Sequence, residues 1–489
     1  MLKPSDRETS TQYKNVQDIL SSQHLCHNSS QWNSTYRIRQ RFLQYYQALG
    51  FQVLPRAPMI HPSIPMSFVM SAGLVQVEMS LARSQLRSEG KFVLVQDCFR
   101  HFDLDSAGRD ETHLSLFEMP GAFVFGQGVK KLTICNMWKL ATEVLKIDRD
   151  RLWVSYFAGG ELEGNQLPAD SETYEAWRDI GISEERLVGL GIDDNFWQQS
   201  QESKNARGFR EKTKKCGSHT ELFYDLGTDR NCGTNCKPGC KCGRFLEFSN
   251  SLFISHEIDT DTGKIISLKN PFTETVIGTE RVATILQGVS SIFETTEYAA
   301  IVDIVRQYSQ FNSLPDKMVR ESERVITDRA KALCFLVADG APPPGKNGRQ
   351  RIIKLLARHT IARMQILGID EKIFWPVILS SIFKQFKPAR MSLSDPKSQE
   401  DVLQRVLSYV KSESERFHKT IQRGYREMDK ILQNRPYCNP IEPYLVKIEK
   451  EWGLPFPLIA LQLYQKNVSF SEEAYCEVLK SWKNGIAKK

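Results

Sequence analysis

Three β-rich runs constrain the fold of this chain more than any other feature: KFVLVQDCF at 91–99, FEMPGAFVFG at 117–126 and RFLEFSNSLF at 244–253. They are interrupted by loops and show no regular strand–helix–strand alternation, so they predict an antiparallel sheet with helices laid on it. A helix is predicted over Tyr36–Leu49, where Ile38, Phe42, Tyr45 and Leu49 recur at helical spacing and Gly50 marks the end. After about residue 280 the pattern turns almost continuously helical. Val402, Val406, Val410, Phe417, Ile421, Met428 and Leu432 hold one apolar stripe, which Pro436, Pro440 and Pro443 are expected to end. A length of 489 residues is too great for one core. The expected fold class is therefore α+β, an antiparallel sheet with flanking helices followed by an all-helical domain. The boundaries are a polar lead-in at 1–30, an α+β domain at 31–290 and a helical domain at 291–489.

Composition excludes several classes. With 41% hydrophobic and 25% charged residues the chain is an ordinary globular one. No apolar run approaches the roughly 20 residues that span a bilayer, and the opening MLKPSDRETSTQYKN lacks the apolar core of a secretion signal. A cytoplasmic location without membrane contact is expected. The net charge of +7 is unevenly placed: ten Lys and Arg against Asp370 and Glu371 give Lys346–Arg390 a charge of +8, leaving −1 elsewhere. Such a local field suits a polyanion such as RNA, or else belongs to a solvated helix face.

Four stretches carry candidate chemistry. Gly340–Asn347 nearly spells a phosphate-binding loop, but Asn347 replaces the magnesium-binding Ser or Thr, and three prolines remove backbone N–H groups. It is set aside. In Gln96–Gly126, strand character on both sides of a charged turn predicts a hairpin carrying a cation (Arg100), an aromatic plate (Phe117) and a carboxylate (Glu118). That set can hold an α-phosphate, stack an adenine and read its edge; the bland alternative is a hairpin with a salt bridge. Cys232, Cys236, Cys240 and Cys242 lie on a glycine-rich loop and can close a tetrahedral zinc site, the alternative being free surface thiols. Four thiolates would leave no open position, so such a metal is structural. Arg351, Lys354 and Arg358 share one helix face, with Ile352, Leu355 and Leu356 turned to the core.

The hairpin segment resembles motif 2 of a class II aminoacyl-tRNA synthetase, specifically of the alanyl-tRNA synthetase family, in an archaeal-like form. Glu274-Thr-Val-Ile-Gly278-Thr-Glu-Arg281 resembles motif 3. Further landmarks follow in order: Asn195-Phe-Trp197, Cys216-Gly217, Thr220 to Asp225, Phe248-Ser-Asn250, Arg324 to Ala330, Phe335 to Gly340, Glu415-Arg-Phe417 and Trp452 to Pro455. They run from about residue 36 to 465. The resemblance implies that Arg100 bridges the ATP α-phosphate and the substrate carboxylate, and that Arg281 grips the γ-phosphate end of a bent ATP, with Mg2+ neutralising the rest. It implies that Trp197 walls off a small side chain beside Asn250, and that Asn347 reads the minor groove of a tRNA acceptor stem while the basic stripe holds phosphates.

The chain also departs from that family. The Asp expected to pair with the substrate ammonium falls on Glu274, the following glycine on Val276, and an acceptor-stem Asp aligns near Lys450. The nine histidines contain no His-x3-His pair, so an editing domain and its C-terminal module are expected to be absent and the protein to be a monomer. The first reading is an ATP-dependent ligase that activates a small amino acid, alanine foremost, and transfers it to tRNA. The second keeps the adenylation chemistry with another amino acid or a non-tRNA acceptor. The third is an inactive tRNA-binding regulator.

Overall fold

The computed structural model describes residues 33–61, 67–69, 77, 90–199, 212–310, 313–386, 396–433 and 440–486. The lead-in at 1–30 lies outside them, as does Pro436. The chain forms two compact units: Met1–Leu104 with Asp110–Ala299, and Asp105–Arg109 with Ala300–Lys489.

The first unit is built on a nine-stranded sheet. Its strands are β1 (Gln52–Val53), β2 (Gly90–Phe99), β3 (Leu116–Phe125), β4 (Leu152–Phe157), β7 (Leu187–Leu190), β8 (Phe196–Gln198), β9 (Thr213–Asp225), β10 (Phe245–Asp259) and β11 (Ile265–Ile277). The short β5 (Gly160–Leu162) and β6 (Asn165–Leu167) form a separate hairpin. The order is β1-β2-β3-β11-β10-β9-β4-β7, with β8 beside β9. The centre is antiparallel, as the β-rich runs predicted. The outer pairs β1–β2 and β4–β7 are parallel, and a parallel neighbour needs a crossover long enough to hold a helix, such as Ser171–Ile180 between β4 and β7.

Helices α1 (Thr35–Ala48), α2 (Lys130–Lys139), α3 (Ser171–Ile180) and α4 (Thr279–Gln287) cover one face. Ile38, Phe42, Ile134, Met137, Trp177, Val282 and Ala283 join Val93, Ala122, Leu222 and Phe253 of the strands in one core. The α1 periodicity seen in the sequence is this buried stripe, and the Ser34 hydroxyl accepts the Arg37 N–H as its N-cap. Because side chains alternate along a strand, the neighbouring residues Phe92, Leu94, Phe123, Ile254 and Phe272 lie on the opposite face. That second face carries the cavity described below. At Gly217 on β9 a Cβ would stand 1.9 Å from the Phe253 carbonyl oxygen, so backbones approach there as only glycine permits.

The second unit is helical, with α5 (Asp316–Ala338), α6 (Gly348–Ile366) and α7 (Pro396–Gln433) as its longest described members. Val402, Val406, Val410, Phe417, Ile421 and Met428 are all buried, so the stripe read along the sequence is the packed side of α7. Pro443 does not end that helix. It stands in the first turn of the helix Glu442–Lys447, where its missing N–H costs nothing. No described helix is long and apolar enough to cross a membrane.

Candidate active site

The cavity opens where β2 and β3 diverge. β2 and β3 pair from Gly90↔Phe125 to Phe99↔Leu116, and the loop between them begins with a 3-10 turn at His101–Asp105. This is the predicted hairpin, but the connection is far longer than a tight turn, a length usual for loops with a binding role. The Arg100 N–H donates to the Ser115 carbonyl at 2.9 Å, which closes the base of the loop. The cavity is lined by Arg100, Asp103, His113, Phe117 and Met119 from the hairpin, by Glu247 and Asn250 from β10, by Val276 from β11, and by Glu280 and Arg281 from α4.

Two cations therefore face one space, Arg100 from the end of β2 and Arg281 from α4. The Arg100 guanidinium lies 5.0 Å over the Phe117 ring, a cation–π contact. Arg281 Nη1 donates to the Glu247 carbonyl at 2.8 Å and to its Oε2 at 3.0 Å, which fixes its direction. Between them, burial pushes the Asp103 carboxyl above its ordinary range, although Arg100, His113 and Arg281 pull it down. Asp110 behaves oppositely. Burial is outweighed by hydrogen bonds from the His113 ring and from the Thr112 and His113 N–H groups, and its carboxyl is held low.

Glu118 corrects the sequence reading. Strand alternation puts Phe117 and Met119 toward the cavity and Glu118 on the opposite face, where it is 7% exposed. There Arg39 Nε of α1 donates to Glu118 Oε2 at 2.7 Å and Thr279 Oγ1 donates to Oε1 at 3.0 Å. Burial works against the Arg39 charge, but Glu118, Asp97 and Glu280 outweigh it and hold the guanidinium above its usual range. The carboxylates that do line the cavity are Asp103, Glu247 and Glu280, of which Glu280 stands nearest the Glu118 backbone. β11 pairs with β3 only as far as Gly121, and the Glu118 N–H is taken instead by the Glu280 carboxylate at 3.1 and 3.2 Å. Glu280 stands beside Arg281 in the sequence but carries no residue-type signal separating it from Glu118.

The remaining expected residues are divided. Val276 and Asn250 face each other across β11 and β10 and both line the cavity. Glu274 lies two residues along the same face, 4% exposed, opposite Leu252 and Phe123. Trp197 on β8 is not part of the cavity lining; it packs on the same sheet face against the cluster that holds Phe123, Ile254 and Phe272.

The four cysteines converge. Cys232, Cys236, Cys240 and Cys242 bring their sulfurs within 4.8 Å of one another, with Cys232–Cys240 at 3.1 Å and Cys236–Cys242 at 3.6 Å. A tetrahedron with zinc–sulfur bonds of about 2.3 Å has edges of about 3.8 Å, so these thiols fit such a site.

In the helical unit, Asn347 is exposed at the N-cap of α6 and Arg351 is exposed beyond it. Lys354 is partly buried. Burial lowers its amine, and repulsion from Arg358, Arg351 and Lys346 adds to this against the pull of Glu413. Arg358 is a second correction. Its Nε donates to Glu413 at 2.6 Å, a carboxylate 1% exposed on α7, and its guanidinium lies 4.8 Å over the Phe417 ring. It faces the helix packing, whereas Arg351 faces outward. Leu355, expected in the core, is only partly buried; Ile353 takes that place.

The sequence matches the family described as tRNA synthetases class II (A) over residues 37–487. It is 30% identical over 453 residues to an alanine--tRNA ligase of Thermoanaerobacter sp. (strain X514), covering 90% of this chain and 47% of that protein. It is 31% identical over 389 residues to an alanine--tRNA ligase of Desulforamulus reducens, covering 79% and 41%. The chain thus spans about half the length of the curated relatives it matches. A match across nearly all of the sequence, on a sheet that sets two arginines and an aromatic ring about one cavity, places this chain in the class II (A) family of tRNA synthetases.

Proposed function

We propose that the chain activates a small amino acid with ATP and transfers it to tRNA, as the names of its relatives suggest for alanine. The observation that carries this reading is the convergence of Arg100, Phe117 and Arg281 on one cavity. In this reading the adenine stacks against Phe117 and Arg281 takes the γ-phosphate end. Arg100 lies between the α-phosphate and the amino-acid carboxylate. A carboxylate oxygen attacks the α-phosphorus, the bond to the bridging oxygen breaks, and pyrophosphate leaves. Arg100 meets charge as it develops on the phosphoryl oxygens, a fixed electrostatic contribution. Glu247 and Glu280 are hard oxygen donors on the same wall and would hold Mg2+ with the nucleotide, where the ion neutralises phosphate charge. Glu274 and Val276 shape the amino-acid end, and Trp197 backs the same sheet face. Transfer then moves the acyl group from phosphate to a terminal ribose hydroxyl. On the helical unit, Asn347, Arg351 and Lys354 would meet the acceptor stem, and the mutual repulsion at Lys354 is relieved by an anion.

The test is amino-acid-dependent exchange of pyrophosphate into ATP, run over all amino acids, followed by transfer of the activated label to bulk tRNA. Exchange with a small amino acid and transfer to tRNA are expected. Absence of exchange with every amino acid would overturn the reading; exchange without transfer would move the acceptor away from tRNA.

The four thiols would hold a structural zinc that ties Cys232–Cys242 into one loop. Metal analysis of the purified protein is expected to find one zinc per chain, and Cys240→Ser to lose it. Equal metal content in the two proteins would remove the site.

A further inference from the structure

Beyond Asn250 the sheet face continues into a polar set that the activation chemistry does not use. Register places Glu221 of β9 opposite Asn250 and His219 opposite Leu252, and directly opposed residues share a face. His219 is 8% exposed. Its Nε2 lies 3.5 Å from Glu221 Oε1, and Glu221 Oε2 accepts from the Ser155 hydroxyl at 3.4 Å. The other ring nitrogen, Nδ1, is buried with no hydrogen-bond partner among the described residues, and so are Asn250 Oδ1 and Asn195 Oδ1. Asn195 joins the group through its amide, which donates to the His219 carbonyl at 3.0 Å. A buried polar atom left unmatched costs about 1–3 kcal/mol, and native structures keep very few of them without a ligand or water to meet them.

The placement selects a ligand. His219 is the diagonal neighbour of Asn250, roughly 7–8 Å between Cα atoms by sheet geometry. One small amino acid can span that interval, with its backbone groups at the cavity end and its side chain toward His219. A methyl group offers nothing to Nδ1 and leaves it buried and unmatched. A hydroxyl or amide satisfies it. We propose that His219, steadied by Glu221, is a specificity-determining residue of the amino-acid site, and that the substrate is a small amino acid whose side chain carries a hydrogen-bonding group. This rests on the amino-acid activation argued above and names its substrate class.

The experiment is pyrophosphate exchange with alanine, serine, threonine and asparagine for the wild-type chain, His219→Leu and His219→Asn. Leucine removes the hydrogen bond, whereas the asparagine amide stands near the place of Nδ1. A site built to hydrogen-bond its substrate rejects the analogue lacking that group strongly, so one polar amino acid is expected to exceed alanine by about 100-fold or more in kcat/KM. In His219→Leu that ratio is expected to collapse to within about tenfold, and in His219→Asn to be largely kept, because an apolar pocket discriminates hydroxyl from methyl poorly. Alanine used as well as every polar amino acid by the wild-type chain would overturn the proposal, whether or not the variants fold. So would a ratio unchanged in a folded His219→Leu protein. Exchange with no amino acid at all would instead remove the activation reading on which it rests.

Discussion

Arg100→Ala is expected to lower amino-acid-dependent pyrophosphate exchange by a few hundredfold (roughly 100- to 700-fold) while leaving the fold intact. The size follows from the role. A donor aimed at charge that develops only in the transition state contributes roughly 3–4 kcal/mol, and each 1.4 kcal/mol is about tenfold in rate. The fold should survive because Arg100 holds its loop through the backbone, by the N–H to the Ser115 carbonyl, which alanine keeps. Its guanidinium meets the rest of the site over the Phe117 ring at a partly exposed position. Arg100→Lys preserves charge but not the planar fork, so it should fall between the two. The check is the exchange rate at saturating ATP together with thermal unfolding. A loss below tenfold in a normally melting Arg100→Ala protein would remove Arg100 from the chemistry.

The second large effect is on stability and lies on the other face of the same hairpin. Arg39→Met is expected to destabilise the protein by about 3–5 kcal/mol, the range seen when one member of a buried ion pair is deleted. Glu118 would then stay buried between α1 and α4 with Thr279 still donating but no cation beside it. Burial already pushes the Glu118 carboxyl upward, and Arg39 is what opposes this most strongly. The double variant Arg39→Met with Glu118→Leu should recover much of the loss, since replacing both charges by apolar groups removes the uncompensated one. Denaturant unfolding of the two proteins tests this. A single variant within 1 kcal/mol of wild type, as an approximate bound, would mean that the pair is not a buried charge pair in solution.

Much of the architecture was legible because it is periodic. The α1 and α7 stripes repeat at the helical spacing, and the hairpin runs alternate, so burial on α1 and α7 and the pairing of β2 with β3 could be read from residue types. What escaped depends on parity and on distant partners. Glu118 and Phe117 are adjacent in the sequence and therefore on opposite faces, so a carboxylate next to the aromatic plate had to point away from it. Glu280 reaches the cavity because β11 leaves β3 at Gly121, a register no local pattern announces. Arg358 fits the basic stripe by spacing, but Glu413, 55 residues later, draws it inward. The polar run at His219, Glu221 and Asn250 was visible as residues and silent as a cluster, because only the β9–β10 register sets them on one face.

Residues 105–109, at the far side of the Arg100 turn, belong with the helical unit rather than with the sheet that flanks them in sequence. The Ala107 carbonyl accepts from Arg329 Nη2 at 3.2 Å, and a Cβ on Gly108 would meet Val325. The two units are thus interleaved along the gene. A single crossover near residue 299, exchanging the helical half between relatives, would pair one protein's loop with another's Val325 and Arg329. The seating of those five residues thus depends on Val325 and Arg329 of α5, so a swap of the helical half is expected to succeed best when 105–109 travels with it.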